Sequence, residues 1–112
     1  MSAKRLFIQT PVFSKRLDER GGDPLLRSIE DELLRNPDAG DLVRGAGGVR
    51  KLRVADPARG KGKRGGHRVI HLNIARHQRT LLITLYGKDE ADDLTQADRD
   101  AIRDLVRRIQ DE

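Results

Sequence analysis

A chain of 112 residues carrying a net charge of +5 is one domain's worth of sequence, with room for a modest core. It has no cysteine, which excludes thiol catalysis, disulfides and cysteine-ligated zinc. The longest apolar-rich run, TLLITLY, is too short to cross a bilayer, and MSAKRLFIQT lacks the apolar stretch of a signal peptide. A cytoplasmic protein with a single domain over residues 1–112 is therefore expected.

Lys4 to Gln9 alternates charged and apolar residues and predicts a strand. Thr10-Pro11 is a helix-opening pair, followed by Val12, Phe13, Arg16 and Leu17 at helical spacing, and Gly21-Gly22 ends that helix. Asp23-Pro24 reads as a second N-cap and first-turn pair, opening a helix striped by Leu25, Leu26, Ile29, Leu33 and Leu34. Asn36-Pro37 stops it, and DAGDLVRGAGG is a loop or bend. VRKLRV is a period-2 strand with Val49, Lys51 and Arg53 on one face and Arg50, Leu52 and Val54 on the other. ADPARGKGKRGG is a long loop. HRVIHLNI is apolar on both faces and so is placed centrally in a sheet, and TLLITLY is another buried strand. Thr95 and Asp98 make a cap for a last helix carrying Ile102, Leu105, Val106 and Ile109. The order implies an α+β domain: a mainly antiparallel sheet of about four strands, two N-terminal helices and a C-terminal helix, with the helices on one face.

The positive charge is concentrated. Between Arg44 and Arg68 nine bases face one acid, Asp56, a net +8 in a chain whose total is +5, so the rest carries −3. Such a patch points to a polyanionic partner. Gly60, Gly62 and Gly65 spell a GxGxxG, but a strand pattern follows where a dinucleotide site needs a helix. The glycines are better read as freedom for Lys61, Lys63 and Arg64 to follow a phosphate backbone. His67 and His71 share a strand face roughly 13 Å apart, too far to hold one metal; neither has an obvious acidic helper in its strand, the nearest acids along the chain being Asp56 and Asp89, and a satisfied strand histidine is the expected role of each. No carboxylate cluster suggests a metal nuclease, and no metal or other cofactor is expected.

Lys51, Arg53, Arg68, Tyr86 and Lys88 remain. In a meander they converge at one end of the sheet. Cleaving RNA through its own 2′-hydroxyl needs a base, cations for the charge developing on phosphorus, and an acid for the leaving oxygen. Arginine forks suit the phosphate. A lysine serves as base when neighbouring cations depress its pKa, and a tyrosine stacks on a base or donates a proton. Spacing alone favours binding of nucleic acid slightly over cutting it.

At these residues the sequence resembles a known family. GAGGVRKLRV, GKGKRGGHRVIHL and LLITLYGKDEADDLT are similar to segments of the RelE/ParE-superfamily toxins of type II toxin–antitoxin systems, in their HigB-like branch, and the likeness runs over nearly the whole chain. The resemblance implies a small RelE-like fold and a metal-independent, ribosome-dependent endoribonuclease that cuts translated mRNA and inhibits translation. It implies a cognate HigA-like antitoxin with a helix-turn-helix, through which the pair reaches operator DNA, and no membrane partner. It carries catalytic roles onto Lys51, Arg53, Arg68 and Lys88, with Arg50, Lys61, Lys63, Arg64, His71 and Tyr86 as RNA-binding residues. Two positions depart from RelE itself: Asp89 stands where it has an arginine, and the tail VRRIQDE lacks its tyrosine. These departures motivate a second expectation, a toxin-like protein that binds RNA or the ribosome without cutting, or acts as co-repressor with its antitoxin. A ParE-like gyrase inhibitor is the third.

Overall fold

The structure is a computed structural model and describes residues 4–56, 66–88, 90 and 93–110. In chain order the elements are β1 (Leu6–Gln9), α1 (Pro11–Arg20), α2 (Gly22–Arg35), β2 (Asp41–Leu42), β3 (Arg50–Val54), β4 (His67–Ile74), a 3₁₀ turn (Ala75–His77), β5 (Arg79–Gly87) and α3 (Gln96–Gln110). The strands form one sheet of five in the order β1-β5-β4-β3-β2. The chain is thus a small α+β domain with three helices.

Three details differ from the sequence expectation. Asp41–Leu42 adds a fifth, two-residue strand against β3, too short to give a period. β1 runs parallel to β5, with Phe7 opposite Thr80, so the sheet is mixed. The helices lie on both faces. Phe13 and Leu17 of α1 and Leu25, Ile29 and Leu33 of α2 pack on Leu52, Val54, Val69, Leu82 and Leu85. Ile102 and Val106 of α3 pack on Val49, Ile70, Leu72, Leu81, Ile83 and Tyr86 across the sheet. The cause is in β4 and β5: strands apolar on both sides need cover on both.

Caps fix the helices where local chemistry allows. Thr10 Oγ1 accepts from Phe13 N at 3.0 Å and donates to the Ile83 carbonyl at 2.6 Å, welding the start of α1 to β5. The α2 cap is Gly21 rather than Asp23, which falls in the first turn; Gly22, at φ +62°, makes the corner between the two helices. Thr95 and Asp98 close a reciprocal box at α3: Thr95 N donates to Asp98 Oδ2 at 2.9 Å and Asp98 N to Thr95 Oγ1 at 3.1 Å. Among the described residues no helix is long and apolar enough to cross a membrane.

Candidate nucleic-acid interface

The site grows from strand register. β3, β4 and β5 are antiparallel neighbours, and Arg53, Arg68 and Tyr86 stand directly opposite one another on a single rung. Tyr86 belongs to the apolar layer under α3, and alternation along each strand puts Arg53 and Arg68 on that same face. Lys51 is two residues along β3, on the same side, opposite Ile70. A bulge refines the surface. Ile70 pairs with Thr84 but His71 with Leu82, so β5 carries one extra residue, Ile83. Ile83 and Thr84 both line a cleft of about 440 Å³ between β5, the start of α1 and the first half of α3, with Tyr86 at its wall.

The rung runs from solvent into the protein. Arg53 is exposed, whereas Arg68 is 8% and Tyr86 6% exposed. The Arg68 Nη1 and Tyr86 Oη atoms are buried and have no hydrogen-bond partner among the described residues, as is Arg99 Nε of α3. A buried donor left unpaired costs about 1–3 kcal/mol. Burial, followed by the Asp93 carboxylate, raises the Tyr86 phenol above its ordinary pKa, and the nearby Arg68 and Arg99 charges only partly oppose this. Tyr86 is therefore a protonated phenol at neutral pH, a donor and not a base.

Asp93 closes the front of this group. Its Oδ1 accepts from Lys51 Nζ at 3.4 Å and from Leu94 N at 2.8 Å, and its Oδ2 accepts from Arg99 Nη2 at 3.1 Å. The Leu94 N–H, then Lys51 and Arg99, hold the carboxyl below the usual aspartate range against a smaller opposing effect of burial. Neither Asp93 nor Arg99 was singled out from sequence. A signal existed for Arg99, which lies three residues before Ile102 on the helical stripe that meets the sheet.

The other sequence candidates divide. Lys88 is exposed just beyond the end of β5, two residues from Tyr86. Arg50 points to the opposite face and donates from Nη1 to the Gly40 carbonyl at 3.0 Å. His71 is fully buried on that opposite face, where Nε2–H donates to the Ala39 carbonyl at 2.8 Å; burial pushes its pKa down and keeps the ring neutral. Arg50 and His71, expected among the RNA contacts, thus stand on the face opposite Lys51 and Arg68, the side on which strand alternation already placed Arg50. His67 shares that face, accepting from Arg20 Nε at 3.0 Å, and its acidic neighbour is Asp56, the nearest acid upstream in the sequence, with Oδ2 3.8 Å from Nε2. Lys61, Lys63, Arg64 and Asp89 lie outside the described residues. Among the described residues no group of three or more histidines and carboxylates is arranged to hold a metal ion.

No protein-family model matches the chain. The chemistry of the face is then its own best guide. Three cations and a neutral phenol share one sheet face, and at least three buried donor atoms there are unspent. That is the donor surplus an anion with several oxygens would satisfy.

Proposed function

We propose that the α3-side face formed by Lys51, Arg53, Arg68 and Tyr86, with Lys88 at its end, is an RNA interface, and that the protein is a ribosome-dependent endoribonuclease acting on translated mRNA as the toxin of a toxin–antitoxin pair. The observation that carries this reading is the Arg53–Arg68–Tyr86 rung with Lys51 beside it. The sequence resemblance to RelE-superfamily toxins supports the same reading. A cognate helix-turn-helix antitoxin is the expected partner.

The chemistry needs no metal. The 2′-oxygen attacks phosphorus, the bond from phosphorus to the 5′-oxygen breaks, and a 2′,3′-cyclic phosphate and a 5′-hydroxyl result. Arg53 and Arg68 balance the charge that builds on the phosphate oxygens. Tyr86, protonated at neutral pH, supplies a proton to the leaving 5′-oxygen. The 2′-hydroxyl proton passes to water, and the Lys51 and Lys88 ammonium groups stabilise the 2′-oxyanion that forms.

Primer extension on a defined mRNA in a purified translation system tests the proposal. New 3′ ends that require translating ribosomes are expected with the wild type. They should fall about 100-fold or more with Arg53→Ala, an exposed residue whose loss spares the core, and with Arg68→Lys, which keeps a cation but not the fork. No new ends from the wild type refutes the nuclease.

One observation favours a second reading, binding without cutting: Arg68 and Tyr86 are more than nine-tenths buried and Asp93 engages Lys51. Co-sedimentation with ribosomes and no new 3′ ends would select it.

A further inference from the structure

The Asp93 carboxylate sits where an anion is wanted. It bridges Lys51 of β3 and Arg99 of α3. Its charge also acts on the Tyr86 phenol, as do those of Arg68 and Arg99, so all five groups are near neighbours. Yet one carboxylate does not use what surrounds it. Arg68 Nη1, Tyr86 Oη and Arg99 Nε, all buried, have no hydrogen-bond partner among the described residues. The Lys51–Asp93 contact, at 3.4 Å, is long beside the roughly 2.7–2.9 Å of a strong charge-assisted bond. Asp93 itself is 46% exposed at the rim, so its side chain can swing to solvent without opening the core. The arrangement is a good seat, held by an anion too small for it.

We propose that Lys51, Arg68, Arg99 and Tyr86 form the seat of one RNA phosphate, and that Asp93 occupies this seat in the free protein as an internal substitute which nucleic acid must displace. The proposal rests on the RNA reading above and deepens it in two ways. It adds Arg99, from a helix outside the basic segment, to the residues that hold the phosphate. It also makes the affinity of the free protein for RNA a difference between two anions competing for the same cations. A phosphodiester carries two non-bridging oxygens and a full charge, so it can take the Lys51 and Arg99 contacts that Asp93 gives up together with donors that Asp93 leaves unspent. Arg53, exposed at the outer end of the rung, remains open for the adjoining phosphate. Asp93 is thus a brake: it lowers affinity for stray RNA and leaves binding to substrates that bring further contacts.

The test is fluorescence anisotropy at low ionic strength with a short 2′-O-methyl oligouridine, which cannot be cleaved. The proteins are wild type, Asp93→Asn, Arg99→Gln, the double variant and Asp104→Asn. Asparagine keeps the acceptor for Leu94 N. Asp104→Asn makes the same change of net charge at an exposed site on α3. Asp93→Asn should bind about tenfold more tightly than wild type and Asp104→Asn less than about twofold more tightly. Arg99→Gln should weaken binding, and the double variant should lose the gain. Wild-type binding with Asp93→Asn no tighter than Asp104→Asn overturns the brake and leaves the RNA interface standing. If no variant binds the oligonucleotide or ribosomes, the RNA reading itself falls. Titration of Asp93→Asn with inorganic phosphate, read at the Leu94 and Arg99 amides by NMR, then decides the seat alone: unmoved resonances refute it.

Discussion

Tyr86 shows a residue whose surroundings suit function better than stability. Its hydroxyl is buried beneath α3 without a hydrogen-bond partner among the described residues, while its ring packs with Ile83, Ile102 and Val106. Tyr86→Phe keeps the ring and removes the unpaired polar atom, so stability should rise by about 1 kcal/mol. RNA cleavage in the translation assay should fall at the same time, because the proton donor is gone. Thermal melting and primer extension on one preparation check both signs; a lower melting temperature would mean that the hydroxyl is bonded in solution. The identity of this rung was largely legible in the sequence, because period-2 alternation places Lys51 and Arg53 on one face without any knowledge of the fold. The face of His71 was less legible, although its role as a hydrogen-bonded strand histidine was the one expected. Parity along its own strand was clear, but its face could be assigned only through the register with β3, where it stands opposite Arg50 and so on the α1–α2 side.

Elements were legible where their signals were local. The Thr10-Pro11 opening, the Thr95–Asp98 box and the apolar stripes of all three helices are read from neighbouring residues, and the structure places those helices accordingly. β2 and the parallel direction of β1 were not legible: a two-residue strand has no period, and the partner of β1 lies more than seventy positions away. Glu90 ties elements together in a way no local pattern announces. It accepts from Gly87 N at the end of β5 and pairs with Arg16 and Arg20 of α1. The Gly87 N–H first, then the two arginines, hold its carboxyl below the usual range despite partial burial. A depressed folded-state pKa means that the unfolded chain binds the proton more readily. The contribution of Glu90 is therefore fully present above the unfolded value of about 4.3 and is lost as pH falls through the folded one. Glu90→Gln should lower the melting temperature at pH 7, and its difference from wild type should shrink as pH falls below the unfolded value. A constant offset across that range would remove Glu90 from the acid response.

At the scale of the whole molecule, the sheet separates two jobs. The α1–α2 face takes the buried histidines into its hydrogen-bonding scheme, whereas the α3 face gathers Lys51, Arg53, Arg68 and Arg99 around a narrow strip. Both faces carry helices because β4 and β5 are apolar on both sides, which the sequence already stated; the one-sided arrangement inferred from element order neglected it. Only one face should therefore feel salt when RNA binds. For single strands, log K falls with log salt at about 0.7 per phosphate neutralised, so the phosphate seated at Lys51, Arg68 and Arg99 and the adjoining one at Arg53 give a slope of about −1.4. Arg53→Gln should reduce the slope by about 0.7 and weaken binding to unrelated sequences alike, as expected of a phosphate contact. Arg27→Gln, an exposed arginine of α2 on the other face, should leave slope and affinity unchanged. Equal effects of the two substitutions would mean that RNA responds to net charge alone. An unequal pair localises binding to the face that the Arg53–Arg68–Tyr86 rung defines, and the ordering of the four cations by their individual slopes would then map how deep the phosphate sits along it.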